Sequence, residues 1–244
     1  MTDSAKPNNP AARLLAILQE MKTTNAQNIA AGFAAVFGTN PSDLGEIYRC
    51  LGQVDRTIDE VAERLRLCGN TDFEQVYQTT VPRLKRAFSV THFGQQWEEF
   101  KRQTIFDQEI KALEFCSAAL ARHYADKVVA AEELKDLLNK VNTLYGEVWD
   151  AHIDERLKTI ILEELANIRR AIHDYKIRGA EGLNESVARV MFIMAAVERV
   201  EPQNRKLIEK VRDLADDIIR IATVGTFLYE LYENLKKSLP HAAS

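Results

Sequence analysis

Glycine and proline are scarce, ten and six among 244 residues, which excludes the Pro/Gly-rich composition of a disordered tract. The glycines are scattered, so no glycine-rich phosphate loop is present. Only three cysteines occur, Cys50, Cys68 and Cys116. The first two fall on one predicted helix, eighteen residues and about 27 Å apart, beyond the reach of a disulfide. An odd count without short spacing points to reduced thiols and a cytoplasmic setting. No run approaches the roughly 20 apolar residues of a membrane span. Residues Met1 to Pro10 are polar and have neither the apolar core of a secretory signal nor the character of a transit peptide. No cysteine and histidine cluster has zinc spacing, and no histidine follows a glutamate by three residues as a helical di-iron site requires. No cofactor or metal is therefore expected. The net charge of −4 argues against a phosphate-backbone partner.

What is present is helical periodicity. Asn9 and Pro10 read as an N-cap and a first-turn proline ahead of Leu14, Leu18 and Met21. An alanine-rich helix is predicted from about Thr24 to Phe37, with Ile29, Phe33 and Val36 inward and Gly38 as its stop. The clearest pattern begins at Asn40-Pro41-Ser42. Leu44, Ile47, Leu51, Val54, Ile58, Val61, Leu65 and Cys68 follow at alternating gaps of 3 and 4, with charged residues between them. Such a seam must lie along another helix, of this chain or of a partner. Pro82 is expected to kink or end the next helix. A further stripe comprises Phe106, Ile110, Leu113 and Leu120, and the weakly periodic 125–131 reads as a hinge.

Four helical units are predicted beyond the hinge. Leu134 to Val148 form one stripe, and Ile161 to Tyr175 form the next, stopped at Gly179 after Arg178. Leu183 to Val197 form the third. The last runs from Pro202 to Leu239, its seam from Leu207 to Leu235 slipping once between Ile221 and Val224. No alternating strand pattern or recurring repeat exists. The expected fold is all-α, at least about 70% helical: a multi-helix bundle with long heptad-patterned helices. Its expected organisation is a disordered 1–10, an N-terminal helical half at 11–124 and a C-terminal helical half at 130–239, as two subdomains or one continuous domain.

The segments Asn9-Pro10-Ala11-Ala12-Arg13-Leu14-Leu15 and Ile168 to Leu183, which contains Arg169-Arg170-Ala171-Ile172-His173-Asp174-Tyr175, resemble stretches of a group of uncharacterised bacterial all-helical proteins of similar length. That resemblance implies a bacterial, cytosolic context and transfers no functional residue.

Two motifs resemble helical hydrolases. His173-Asp174 is similar to the metal-binding pair of HD-type phosphohydrolases, with His152 upstream and Asp213, Asp216 and Asp217 downstream as further ligands. Arg169, Arg170 and Lys176 lie one turn away and oppose a bound cation, so both residues are expected on an exposed helix face. Arg86 and His92 have the R-x5-H spacing of HEPN ribonucleases, a spacing common by chance. The carboxylate runs Glu132-Glu133-Asp136 and Asp213-Asp216-Asp217 resemble those of helical nucleotide pyrophosphatases. The blander account is a solvated face paired with Lys135 or Arg212. Arg83, Lys85, Arg86, Lys101 and Arg102, interleaved with Phe88, Phe93 and Trp97, have nucleic-acid character. Glu98 and Glu99 interrupt them, and an amphipathic helix with its aromatics in the core explains them better.

The leading expectation is a non-enzymatic helical interaction protein that self-associates or engages another protein through its heptad seams. The terminal unit is the candidate interface, with Leu228 on the seam and Phe227, Tyr229 and Tyr232 outside it. The alternatives are a helical hydrolase acting on nucleotides or RNA, and a membrane-active helical effector based on Val190–Val197 and Ile221–Tyr229. Both of those stretches are shorter than a span and fit a buried core.

Overall fold

The computed structural model describes residues 8–89, 93–105, 107–123, 128–200 and 205–222, apart from the side chains of 195–200. Among the described residues 83% are helical, in ten helices with no strand. The chain forms two compact units. The first comprises Met1–Ala125 with Lys176–Gly179, and the second comprises Asp126–Tyr175 with Ala180–Ser244.

The first unit contains α1 (Pro10–Thr23), α2 (Ile29–Phe37), α3 (Leu44–Leu67), α4 (Thr71–Ala87), α5 (Trp97–Thr104) and α6 (Asp107–Leu120). The Asn9 side chain accepts from the Ala12 amide while its own amide donates to the Ser117 carbonyl at 2.9 Å, so ordered packing begins before residue 11. Helix α2 starts later than its sequence suggests. The Asn28 side chain caps it, and the Thr24 carbonyl serves instead the Trp97 indole at 2.9 Å and the Lys101 ammonium at 2.8 Å. The α3 seam lies inside the chain: Ile47, Leu51, Val54, Ile58, Val61 and Leu65 are all buried in the first core. Each such side chain contributes roughly 1.5–3 kcal/mol of transfer free energy. Pro82 sits inside α4 without ending it. The bond it forfeits is to the carbonyl of Gln78, an exposed residue whose carbonyl water can serve.

The second unit contains α7 (Ala131–Asp150), α8 (Glu155–His173), the later part of α9 (Tyr175–Val200) and α10 (Arg205–Ala222). The Asp154 side chain accepts from the amides of Arg156 and Leu157 and so starts α8. The expected single helix up to Arg178 is two. Helix α8 ends at Asp174, whose amide still bonds the Arg170 carbonyl, and α9 is interrupted at Gly179 with φ 62° and ψ −153°. Only glycine adopts that backbone readily. The α10 seam is internal as well, with Ile208, Val211, Leu214 and Ile218 buried in the second core. Among the described residues no helix is long and apolar enough to cross a membrane.

Candidate functional site

The first unit holds a depression of about 290 Å³ lined by Arg83, Arg86, Gln103, Thr104 and Gln108. Its construction follows from local sequence. Arg83 and Arg86 are three residues apart on α4 and share a face. Trp97 and Phe100 are fully buried and anchor α5, which places Gln103 and Thr104 at its end. The Thr104 hydroxyl donates to the Phe100 carbonyl at 2.6 Å, and the Gln103 amide donates to Glu99 at 3.1 Å. Arg83 donates through Nη1 to Gln108 Oε1 at 3.0 Å and to Glu109 Oε1 at 3.1 Å. Glu109 is buried, so this contact keeps a charge in the protein interior neutralised. The depression offers guanidinium and amide donors, which suit a carboxylate or another oxyanion. Its lining comprises two guanidiniums, two carboxamides and one hydroxyl.

Helices α4 and α6 run antiparallel, since Tyr77 lies near Cys116 while Arg83 meets Glu109. Burial pushes the Tyr77 phenol far above its usual pKa, and its hydroxyl donates to the Ile58 carbonyl at 2.9 Å. Seven residues before Arg83 on the same stripe of α4 stands Val76, 55% exposed. Seven residues after Gln108 on the matching stripe of α6 stands Phe115, 62% exposed. One face therefore carries cationic donors at one end and bare apolar side chains at the other.

The residues of the HD-like reading do not converge. His152 precedes α8 and His173 ends it, so the nineteen-residue helix holds them about 28 Å apart. Both histidines are exposed, but Asp174 is buried at 5% exposure, which corrects the expectation of an exposed pair. It caps α8, and its backbone amide bonds the carbonyls of Arg170 and Ile172. No group of three or more metal-ligating side chains occurs among the described residues. Asp217 pairs with Lys140 and Arg220 rather than with Arg212. Burial raises its carboxyl, but the Lys140 hydrogen bond and both cations outweigh that and hold it below the usual range.

Arg86 lines the depression, whereas His92 lies outside the described residues. The remaining basic residues are committed elsewhere. Lys85 bonds Asp59 at 2.9 Å, with Asp55 beside it, and that hydrogen bond holds its ammonium above the usual pKa. Lys101 pairs with Glu98 at 2.8 Å. Trp97 and Phe88 are buried beside Phe33, so these aromatics belong to the core. The interface candidates Phe227, Leu228, Tyr229 and Tyr232 lie outside the described residues.

Sequence reasoning missed Gln103, Thr104, Gln108 and Glu109. One signal was available: Glu109 is in phase with the buried stripe Ala112, Leu113, Cys116 and Leu120, where a carboxylate needs a partner. Comparison with protein-family models, curated proteins and solved structures finds no match to this chain.

Proposed function

We propose that this protein is a non-enzymatic helical interaction module that associates with itself or engages a protein partner. The observation that supports the reading is where its apolar surface lies. The α3 seam from Ile47 to Leu65 and the described part of the last seam from Ile208 to Ile218 are buried in the two cores, yet Phe115 in the first unit and Phe192 in the second stand 62% and 73% exposed. A large aromatic left on the outer face of an otherwise packed helix suits a contact with another chain. The buried seams move the expected contact off α3 and the described part of α10 and onto these outer faces and the terminal segment that contains Phe227 and Tyr232.

Sedimentation velocity of the full chain over a wide concentration range tests the proposal. The expected result is a reversible species of at least twice the chain mass, weakened by Phe115→Glu or Phe192→Glu in variants that keep their helical circular dichroism. A strictly monomeric chain that turns over a nucleotide or RNA would replace this reading with the hydrolase one.

A further inference from the structure

We infer that the depression lined by α4, α5 and α6 is a binding site for a small phosphate monoester. Its phosphoryl group meets Arg86 and Gln108, and a hydroxyl of its organic part meets Gln103 and Thr104. The inference goes beyond the association reading and does not depend on it.

Each lining side chain has a fixed chemical sense. Arg83 has no acceptor, so Gln108 meets it through Oε1 at 3.0 Å and keeps its amide nitrogen as a donor. Glu99 accepts through its carboxylate, so Gln103 gives it an N–H at 3.1 Å and keeps Oε1 as an acceptor. Thr104 spends its one hydroxyl hydrogen on the Phe100 carbonyl at 2.6 Å, which leaves oxygen lone pairs. The lining therefore divides in two. Arg86 and the Gln108 amide donate, whereas Gln103 Oε1 and Thr104 Oγ1 accept. Thr104 is 6% exposed while Arg86 is exposed, so a deep acceptor sits below a cation at the rim.

A ligand that satisfies both halves carries an oxyanion and a hydroxyl. The planar fork of Arg86 grips two oxygens, and Gln108 approaches from a different helix. A tetrahedral phosphoryl group supplies a third oxygen out of that plane, which a carboxylate lacks. The volume of about 290 Å³ lies near the lower end of the roughly 300–1,000 Å³ of small-molecule sites. That size suits a hydroxylated monoester of a few carbons. Glu109 offsets much of the Arg83 charge at 3.1 Å, so Arg86 carries the attraction. Glu99 places a negative charge beside Gln103, but it is exposed and solvent screens it. The buried Trp97 and Phe100 hold α5 in place, so binding orders little that is not already ordered.

Isothermal titration calorimetry of the full chain at low ionic strength is the test, with ribose 5-phosphate, ribose, inorganic phosphate and succinate as probes. Ribose 5-phosphate is expected to bind with a Kd below about 1 mM, and ribose and succinate at least about 10-fold more weakly. Inorganic phosphate engages the donor half alone and should bind about 3- to 10-fold more weakly. Arg86→Ala should weaken ribose 5-phosphate by about 10-fold or more, and Arg86→Lys should restore only part of that, since an ammonium lacks the fork. Arg56→Ala, which removes an exposed cation from α3, should leave the Kd within about 2-fold. Gln103→Ala should weaken ribose 5-phosphate by about 3-fold or more and leave inorganic phosphate unchanged. Circular dichroism confirms that each variant is folded; Arg86 and Gln103 are both exposed, so neither change touches the core. No binding of ribose 5-phosphate at about 10 mM, or binding indifferent to Arg86→Ala, would overturn the site. Succinate bound as tightly would overturn the phosphoryl assignment. A Gln103→Ala variant that weakens both phosphates alike, or neither, would overturn the placement of the organic part.

Discussion

Arg189 Nε donates to Glu164 Oε1 across 2.9 Å, so a guanidinium on α9 that faces solvent closes over a carboxylate on α8 that is 2% exposed. The Asn167 amide satisfies the other carboxylate oxygen at 3.1 Å. Arg83 and Glu109 repeat the arrangement in the first unit. In both places a glutamate occupies a position in phase with an apolar stripe, and an arginine from the neighbouring helix makes its burial tolerable.

Arg189→Ala should cost about 2 kcal/mol, because the buried carboxylate keeps its desolvation penalty and loses its cation. Adding Glu164→Leu should recover much of that loss, since no buried charge then remains. Urea denaturation of both variants checks this. An unchanged midpoint in the single variant would show that water replaces the arginine.

Gly179→Ala should destabilise the protein by about 2 kcal/mol or more. Its φ of 62° disfavours any side chain, and a Cβ there would stand 2.6 Å from Arg13 Nη1. Arg13 Nε also donates to the Ile177 carbonyl at 2.9 Å, so that guanidinium has little room to retreat. Thermal unfolding measures the effect.

His173→Ala should change stability by less than about 0.5 kcal/mol, whereas Asp174→Ala should cost about 1–3 kcal/mol. The residues are adjacent, but the histidine is exposed and the aspartate is buried. Chemical denaturation of the two single variants separates them. Zinc or manganese that bound the parent chain and was lost in both would restore the HD-type reading.

Among the three thiols Cys68 should react first with a disulfide reagent at pH 8, and Cys50 and Cys116 only after unfolding, because the last two are buried. Burial also pushes the Cys116 thiol up to about 12. The unfolded thiol ionises near 8.5. Since the folded value is the higher one, stability on this account is fully present below about pH 8.5 and falls as pH rises from there toward 12. Thiol counting with and without denaturant, and unfolding midpoints between pH 8 and 11, test both statements.

Local spacing encodes caps and inward faces but not breaks set by distant contacts. Asn9-Pro10, Gly38 and the α3 heptads place helix ends and inward faces correctly, because caps and stripes depend on residues within a turn or two. The break at Asp174 was not legible, since the apolar spacing runs smoothly through Ile172 and Tyr175 on either side of it. Of the two outcomes expected at Pro82, the helix does not end there, because an exposed carbonyl makes an interior proline tolerable.

An all-helical protein, several of its caps and the stripes its helices bury were legible in the residues alone, since these follow from backbone hydrogen bonding and a 3.6-residue period. The tertiary structure alone decided that the α3 and α10 seams are internal, that residues 176–179 complete the first unit, and that Arg83 and Arg189 each neutralise a glutamate about 25 residues away. A seam states only that it needs a partner. Which surface fills it depends on contacts between residues distant in the chain, and those are set when the whole core packs.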